Sequence, residues 1–483
     1  MHLTTIFRIL GLFLLLGSLM LIPPMFVEQW YLDGSLKVFV ISFLFMSFCG
    51  LITWFPFRQH KQELCTRDGF VIVVLFWVVL CFMGAVPFWL APSPNMSFAD
   101  AIFEAVSGFT TTGSSVIPHV DDLPHSILYY RQQLQFVGGI SIIILGVAIL
   151  PMLGIGGMQL FRTEMTGPIK DDKLTPRITQ TAKAIWVIYV GITILCALSY
   201  WAGGMSLFDA IGYSYATVAT GGMATHDLSM GYFDSPMLQI ISIIFMFLSA
   251  ISFNLHFIAL RSKKIGFYAA DPEFRAFIKL LLIYILIVWG MLVLTGEHSK
   301  NENLFIESLF TLVSICTTTG FVSTNFSAWP YFLPLMMLFT AIIGGCSGST
   351  TGGLKVIRVL LLQKQSVREV NRLIHPYAQY AITLGDIKVS NKVLDAVWGF
   401  LALYFVSFTV LLLLLLISNV DLLTAYSALL TCISNTGPGL GSISNHFGDL
   451  SDFNKWVLSF AMLLGRLEFF TILVVFVPAF WRN

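Results

Sequence analysis

Four segments of this chain share one pattern, and that pattern constrains the fold more than any other feature. Each copy is an amphipathic stretch that runs into a cluster of Thr, Ser and Gly. The copies are FADAIFEAVSGFTTTG (98–113), LFDAIGYSYATVATGG (207–222), LFIESLFTLVSICTTTG (304–320) and LLTAYSALLTCISNTG (422–437). Their anchor positions are Asp100, Asp209, Glu307 and Thr424. The glycines thirteen residues after each anchor are Gly113, Gly222, Gly320 and Gly437. This fixed offset indicates a fourfold internal repeat.

A helix of about a dozen residues spans about 18 Å, whereas the apolar layer of a membrane is roughly 30 Å thick. So short a helix enters the membrane partway and turns back, with its non-helical end shielded by protein or bordering a water-filled cavity. Glycine permits φ values that direct carbonyls toward one axis, and helix C-termini carry partial negative charge. Four such ends predict a ring of oxygens that replaces the hydration shell of an alkali cation. The alternative is that each cluster is only a turn between hydrophobic segments.

The composition is that of a membrane protein. Of 483 residues, 57% are hydrophobic and 11% are charged, which is typical of a polytopic membrane protein. A formal net charge of +1 argues against a nucleic-acid partner. The seven cysteines form no CxxC pair and HExxH is absent, so neither a disulfide framework nor a zinc site is predicted. The apolar N-terminus lacks a cleavage signature, and we interpret it as the first membrane helix.

The apolar runs predict an all-α polytopic fold with ten spanning helices around four re-entrant segments. An N-terminal pair, 6–27 and 36–55, precedes the first repeat. The other spans flank the re-entrant segments in pairs: 70–91 and 126–150, 184–203 and 236–260, 276–295 and 330–362, and 393–417 and 455–478. The predicted units are the N-terminal pair, 1–60, and pore repeats 1 to 4, 61–160, 161–265, 266–370 and 371–483.

Basic residues predict the orientation in the membrane. Of the 27 basic residues, 22 fall in linkers 57–69, 161–183, 261–279 and 355–392 or at Arg8 and Arg482. All of these lie on the side shared by both termini, which the positive-inside rule makes cytoplasmic. The filter loops then open from the outside, where the connecting loops carry mainly acidic residues.

The third repeat contains a second unusual segment, GGCSGSTTGG, in the middle of its last predicted span. Its residues are Gly344, Gly345, Cys346, Ser347, Gly348, Ser349, Thr350, Thr351, Gly352 and Gly353. Each glycine costs a helix about 1 kcal/mol relative to alanine, so a continuous helix is disfavoured. An unwound segment beneath the filter predicts a gate. The alternative is a face of small residues for close helix packing.

Arg466 lies midway along the last apolar run, where an arginine costs about 2.5–3.5 kcal/mol on insertion scales. It therefore requires a wet cavity or a partner, and we expect carbonyls or hydroxyls of the 344–353 segment to supply one. Glu468 lies two residues further and would point to another helix face. The alternative is that Arg466 extends to the cytoplasmic interface. Asn254 is either a pore-facing polar group or a hydrogen-bonding group between helices.

With these features in place, the chain resembles the membrane subunits of bacterial Trk potassium-uptake systems. Their superfamily also holds KtrB and the plant and fungal potassium transporters. The resemblance covers essentially the whole chain, and the N-terminal pair is more similar to Trk proteins than to KtrB. The residues that carry it are RDGFVIVVLFW (67–77), SGFTTTG (107–113), ILPMLGIGGMQL (149–160), GPIKDDKLTPRI (167–178), DPEFRAFI (271–278), IGGCSGSTTGGLKVIR (343–358), NTGPGLG (435–441) and GRLEFF (465–470).

The resemblance implies roles for particular residues. The filter glycines correspond to the four glycines of the repeats, and the residues before them supply the K⁺-coordinating carbonyls. These residues are Thr110, Thr111 and Thr112; Thr220 and Gly221; Thr318 and Thr319; and Asn435 and Thr436. The intramembrane loop of the family corresponds to 344–353 and its pore arginine to Arg466. In plant relatives, a serine in the first copy accompanies sodium permeation, whereas this chain has Gly113.

The resemblance also implies partners and a location. Family members are homodimers in the inner membrane, with one pore per protomer. They bind a cytosolic ring of TrkA, a nucleotide-binding regulator, through the basic cytoplasmic face. The bound substrate is K⁺. We expect no cofactor on this chain and a nucleotide only on the regulator.

These features predict a gated potassium-uptake pore driven by the membrane potential, about 2.3 kcal/mol per charge per 100 mV. The alternative on the same fold is a cotransporter coupled to H⁺ or Na⁺. Coupling to H⁺ or Na⁺ ordinarily uses an intramembrane carboxylate relay. Three acidic residues, Glu104, Asp209 and Glu307, lie on the short helices, so Glu468 in the last helix is the one candidate for such coupling. An enzyme would require a nucleophile–base or metal cluster, and the sequence has no such spacing. A non-conducting sensor is disfavoured by the intact filter pattern.

Overall fold

A computed structural model describes residues 2–59, 65–144, 175–296, 303–385 and 387–482. Within these ranges the protein is built from helices, and the strands form one hairpin, β1 (Thr383–Leu384) with β2 (Ile387–Lys388). The prediction of an all-α polytopic membrane protein is confirmed. The predicted site residues lie within the described ranges, whereas motif 149–160 and basic residues Lys61, Arg162, Lys170 and Lys173 lie outside them.

The helices follow the predicted order of an N-terminal pair and four repeats. In the N-terminal pair, the first span consists of α1 (Leu3–Ser18) and α2 (Ile22–Tyr31), and the second contains α3 (Leu36–Trp54). Repeat 1 comprises α4 (Thr66–Gly84), α5 (Val86–Leu90), α6 (Phe98–Phe109) and α7 (His125–Ile144). Repeat 2 comprises α8 (Thr175–Ala202), α9 (Leu207–Ala219), α10 (Pro236–Ser249) and α11 (Phe253–Ser262).

The last two repeats have the same plan, and the interruption of the second helix is longest in repeat 3. Repeat 3 comprises α12 (Gly266–Ala270), α13 (Pro272–Thr295), α14 (Leu304–Cys316), α15 (Leu333–Ile343) and α16 (Val356–Ile374). Repeat 4 comprises α17 (Asn391–Leu416), α18 (Leu422–Ile433), α19 (Asp452–Leu467), α20 (Phe469–Phe476) and α21 (Pro478–Trp481). The short helices α6, α9, α14 and α18, here called the pore helices, are the predicted re-entrant segments.

The second helices of repeats 2 to 4 are interrupted; the sequence predicted the interruption of repeat 3 but not those of repeats 2 and 4. In the described ranges, six helices are long and apolar enough to cross a membrane. The second helix of repeat 2 bends by 91° between α10 and α11, and that of repeat 4 bends by 116° between α19 and α20. In repeat 3, residues 344–355 separate α15 from α16. Predicted span 126–150 is helical through Ile144, and its remainder lies outside the described ranges.

Burial places the pore helices at the centre of the molecule. In α6 every residue from Ala101 to Phe109 is buried. The outer helices instead expose large apolar side chains, such as Leu198 and Leu286, as a surface against lipid requires. The last turns of the other three pore helices are buried as well, so the non-helical ends that follow are shielded as a re-entrant fold demands.

The two chain ends lie on one face of the molecule. His2 Nδ1 is 3.0 Å from Asp68 Oδ2 at the start of α4. The adjacent Arg67 donates a hydrogen bond of 2.7 Å to the carbonyl of Arg482. The N-terminus and the C-terminus therefore meet beside the first helix of repeat 1.

Candidate functional site

The anchor positions of the repeat lie in the first turns of the pore helices, and side chains cap three of these helices. Ser97 accepts a hydrogen bond from Asp100 N–H, Ser206 from Asp209 N–H, and Asp421 from Thr424 N–H. Each anchor is the third helical residue of a capping pattern, which satisfies an otherwise unpaired N–H group. The remaining pore helix, α14 of repeat 3, follows Asn303 without a side-chain cap. The anchor signal in the sequence was therefore, in three copies, a helix-start signal.

The four pore helices end with the same backbone geometry. The residue before each glycine donates its N–H to the carbonyl five positions earlier, in pairs Thr112–Ser107 (2.9 Å), Gly221–Ala216 (2.8 Å), Thr319–Ser314 (2.8 Å) and Thr436–Thr431 (2.9 Å). One position earlier the backbone is left-handed, with φ of 51° at Thr111, 52° at Thr220, 53° at Thr318 and 53° at Asn435. This is a Schellman-type ending. A left-handed threonine costs about 1–3 kcal/mol, so surrounding contacts hold these ends in place.

The four glycines predicted to form the filter are arranged in a closed ring. Each has a positive φ, from 76° at Gly222 to 95° at Gly437. A Cβ atom on Gly113 would lie 2.1 Å from Gly221 O, and one on Gly222 would lie 2.0 Å from Thr319 O. A Cβ on Gly320 would lie 1.9 Å from Thr436 O, and one on Gly437 would lie 2.7 Å from Thr112 O. The contacts run from repeat 1 to 2, 3, 4 and back to 1.

This ring brings together the predicted filter residues of all four repeats. Each glycine contacts the carbonyl of the residue that precedes the glycine of the next repeat, so the backbones are in contact around one axis. Side chains are excluded from these contacts. Such an arrangement surrounds an axis with backbone oxygen atoms, which are the ligands that replace water around an alkali cation.

Side chains of α7 brace the filter ends of repeats 1 and 2 from behind. Arg131 Nε donates to Glu104 Oε1 at 2.8 Å, and both side chains are buried. Gln135 Nε2 donates to Gly221 O at 2.6 Å, and Gln132 Nε2 donates to Met223 O at 2.9 Å. Glu104 was considered only for ion coupling, and Arg131, Gln132 and Gln135 were not predicted to contribute to the site. The available signal was the stretch 131–135, RQQLQ, which places four large polar side chains within five residues of a spanning helix.

The 344–353 segment lies against the inner ends of three pore helices. Thr350 Oγ1 donates to Val218 O of repeat 2 at 3.0 Å. Gly352 N–H donates to Thr318 Oγ1 of repeat 3 at 2.7 Å. A Cβ on Gly352 would lie 2.0 Å from Ser434 O of repeat 4. We call this segment the gate loop, and it touches the helix ends that carry the filter.

The gate loop also fills the break in repeat 2. Cys346 N–H donates to Ala250 O at 2.9 Å, and Phe253 N–H donates to Gly348 O at 3.0 Å. Backbone groups released by the bend between α10 and α11 thus find partners in the loop, which is the condition for a broken helix at this depth. Asn254 lies beside this contact, since a Cβ on Gly348 would be 3.6 Å from its Nδ2.

Arg466 joins the gate loop to repeat 1. Its Nη1 donates to Thr350 O at 2.8 Å and its Nη2 donates to Gly138 O at 3.4 Å. The residue is 2% exposed, so the alternative of extension to the interface is wrong. The expected contact with carbonyls of the 344–353 segment is present.

Glu468 lies at the break of repeat 4 rather than on a continuous helix. Its backbone has φ 59°, and its Oε1 is 2.9 Å from Arg358 Nη2. The Arg358 guanidinium also lies 4.2 Å from the centre of the Phe400 ring. Both charged groups border a cavity of about 30 Å³ that Lys355 and Arg466 also line. The prediction that Glu468 points to another helix face than Arg466 assumed one continuous helix. In the structure, α19 ends at Leu467, before Glu468.

Four pore helices that end in one ring of backbone oxygens define a membrane protein of the four-repeat cation-transport class. A family model described as "TrkH: Cation transport protein" matches residues 35–483. The chain is 50% identical over 485 residues to the Trk system potassium uptake protein TrkH of Vibrio parahaemolyticus, with 100% of both chains covered. The chain belongs to the TrkH family of cation transport proteins.

Further relatives agree with this assignment. The Escherichia coli protein named Trk system potassium uptake protein TrkH is 47% identical over 483 residues, with 100% of both chains covered. The crystal structure of the potassium transporter TrkH from Vibrio parahaemolyticus matches with a TM-score of 0.93 and 48% identity, covering 100% of both chains. This chain is therefore a membrane transport protein rather than an enzyme.

Proposed function

We propose that this chain is the membrane component of a Trk-type system that takes up potassium through a gated, channel-like pore. The observation that carries the proposal is the closed ring of Gly113, Gly222, Gly320 and Gly437. K⁺ would lose its water to the backbone carbonyls beside these glycines and pass inward down the membrane potential. The printed names of the relatives, which are potassium uptake proteins and a potassium transporter, support K⁺ as the substrate.

The gate loop with Arg466 is the proposed barrier below the filter. The loop touches pore helices of three repeats, and Arg466 places a buried positive charge among them. A cation that leaves the filter meets this charge at low dielectric, which raises the energy of passage. Opening therefore requires the loop and the guanidinium to move together.

The remaining assignments concern the assembly. The protein works as a homodimer in the bacterial inner membrane, with both termini cytoplasmic, and a TrkA-like ring binds its basic face and carries the nucleotide. Helix α16 supports a protein partner, because Leu373 near its end is 84% exposed and Tyr377 beyond it is 100% exposed. The meeting of the two termini beside Arg67 supports their common side.

The first experiment is cation flux into liposomes that contain the purified chain, with K⁺, Rb⁺, Na⁺ and Li⁺ compared at a clamped potential. No pH or Na⁺ gradient is imposed. Passive flux selective for K⁺ and Rb⁺ is the expected result, with a regulatory ring and nucleotide added if the chain alone is closed. Flux only with an imposed H⁺ or Na⁺ gradient would replace the channel-like mechanism by cotransport.

A further inference from the structure

A single carboxylate joins the first half of the gate loop to the start of α16. Glu273, the second residue of α13, accepts the N–H of Ser347 at 2.7 Å and the N–H of Ile357 at 3.1 Å, both on Oε1. Ser347 lies in the first half of the loop, and Ile357 lies in the first turn of α16, which begins where the loop ends. Glu273 is 7% exposed. The first helix of repeat 3 thus reaches under the filter and holds the loop.

The chemistry of a helix start favours this arrangement. The residue before α16, Lys355, provides no side-chain cap. The first N–H groups of a helix have no partner within the helix and carry partial positive charge, so an ionised carboxylate is favoured there. Hydrogen bonds from N–H groups to a carboxylate are stronger than those to a neutral acceptor. Glu273, which lies on α13, therefore caps the start of α16. The same carboxylate oxygen also binds the N–H of Ser347 in the gate loop.

From this geometry we infer that Glu273 is the positioning residue that holds the gate loop in its closed arrangement. Loss of the carboxylate releases Ser347 and Ile357 together, so the loop leaves the pore helices as one unit. The part of this inference that concerns K⁺ flux rests on the proposed function. The part that concerns the position of the loop does not, and it has its own measurement.

The loop carries its own probe, Cys346, which is 2% exposed. Cys65 is exposed and Cys49 is half-buried, so both are replaced by serine to leave Cys346 as the thiol of interest. The rate of Cys346 labelling by a small water-soluble maleimide then reports release of the loop, and a Cys346→Ser version gives the background. The protein is studied as the full chain in liposomes, where flux is measured on the same preparation.

We expect Glu273→Ala to raise the labelling rate of Cys346 about tenfold or more. A hydrogen bond to an ionised group favours the closed arrangement of the gate loop over the released one by about that factor. Glu273→Gln keeps an acceptor oxygen at the same reach and should restore most of the protection. Glu273→Asp withdraws the carboxylate by one methylene and should label faster than Glu273→Gln. This pair decides the question if Glu273→Ala does not fold.

The matched control is Asp271→Ala, which removes the N-cap of the same helix, where Asp271 accepts the N–H of Phe274 at 2.7 Å. Equal labelling in Asp271→Ala and Glu273→Ala would overturn the inference, since the effect would then be general loosening of the α13 start. Wild-type labelling in folded Glu273→Ala or Glu273→Asp would overturn it as well. Faster labelling with unchanged flux would support the position of the loop and contradict its role as the gate.

Discussion

At the scale of single residues, steric exclusion explains why glycine occupies the four filter positions. Any side chain there meets a backbone carbonyl of the next repeat within 2.7 Å, and backbone cannot yield as a side chain can. Positive φ adds a second requirement at the same positions. The two requirements are separate. The clash would displace the backbone of the next repeat, whereas the positive φ would strain the backbone of the substituted repeat itself.

Gly113→Ser tests the filter assignment. A serine Cβ would press on Gly221 O and move a carbonyl of repeat 2, so we expect weaker discrimination of K⁺ over Na⁺ with flux retained. The measurement is the K⁺/Na⁺ flux ratio in liposomes. An unchanged ratio in folded protein would remove Gly113 from the filter.

The ring also predicts a ranking among the repeats. The Cβ of Gly437→Ala would lie 2.7 Å from Thr112 O, whereas that of Gly320→Ala would lie 1.9 Å from Thr436 O. We expect Gly437→Ala to lose less selectivity and less thermal stability than Gly320→Ala, by about 1–3 kcal/mol in stability. Thermal unfolding in detergent and the flux ratio measure the two effects. Equal damage would indicate that the backbone of the ring relaxes freely.

Arg466→Gln tests the charge of the gate. Glutamine retains a donor for Thr350 O but removes the positive charge, so we expect higher K⁺ flux without the regulatory partner. Arg466→Lys, which keeps the charge, is the matched control and should stay closer to wild type. Flux that falls or stays constant in well-folded Arg466→Gln would contradict the assignment.

At the scale of elements, the broken second helices are the main feature. The breaks of repeats 2 and 3 meet, because the gate loop fills the bend between α10 and α11. The break of repeat 4 joins them through the contact of Arg358, on α16, with Glu468. The start of helix α16 is therefore held by two elements. One is α13 of the same repeat, and the other is the α19–α20 bend of repeat 4.

The Arg358–Glu468 pair predicts coupling between α16 and repeat 4. Arg358→Gln and Glu468→Gln should each raise partner-free flux, and the double variant should add little to either one because both remove the same contact. The exchanged pair, Arg358→Glu with Glu468→Arg, is the rescue test. Additive effects in the double variant would show that the two residues act separately.

At the scale of the whole molecule, His226 joins repeats 1 and 2 on the side where the pore helices begin. Its Nδ1 is 2.8 Å from Asp121 Oδ1, and its Nε2 is 3.4 Å from Asp209 Oδ1. His119 and Asp227 form a longer contact of 3.9 Å nearby. Burial lowers the pKa of His226, but the carboxylates of Asp209 and Asp121 outweigh it and raise this pKa above its ordinary value of 6.5.

This geometry predicts a pH dependence with a definite sign. Because the His226 pKa is raised in the folded state, its stabilisation is fully present below about pH 6.5 and is lost as pH rises through the folded-state pKa. We expect His226→Gln to be destabilised relative to wild type by more at about pH 6 than at about pH 9, because the part of the stabilisation that depends on the charge of His226 is lost at the higher pH. Thermal unfolding at the two pH values measures this. A constant difference would show that the charge of His226 contributes nothing.

Much of the fold and of the candidate site was predictable from sequence. The pore helices were found by a fixed thirteen-residue offset, which in three copies reflects capping at Asp100, Asp209 and Thr424, a local interaction. The gate loop was found because glycine in series opposes a helix whatever surrounds it. The bend at Glu468 was not found, because residues 465–470 contain one glycine and no proline to mark a break.

Sequence by itself determined which segments are long and apolar enough to cross the membrane, which are too short to do so, and which residue types form their ends, because these depend on hydropathy, chain length and backbone preference. Tertiary structure alone decided which groups meet. Gly113 faces a carbonyl of repeat 2, Glu104 pairs with Arg131, and Glu273 holds Ser347 across 74 positions of sequence. Such contacts satisfy buried polar groups between distant segments. A buried N–H group can donate to any acceptor that the packing brings within reach. The physical reason is that hydrogen-bond chemistry requires a partner without specifying which one.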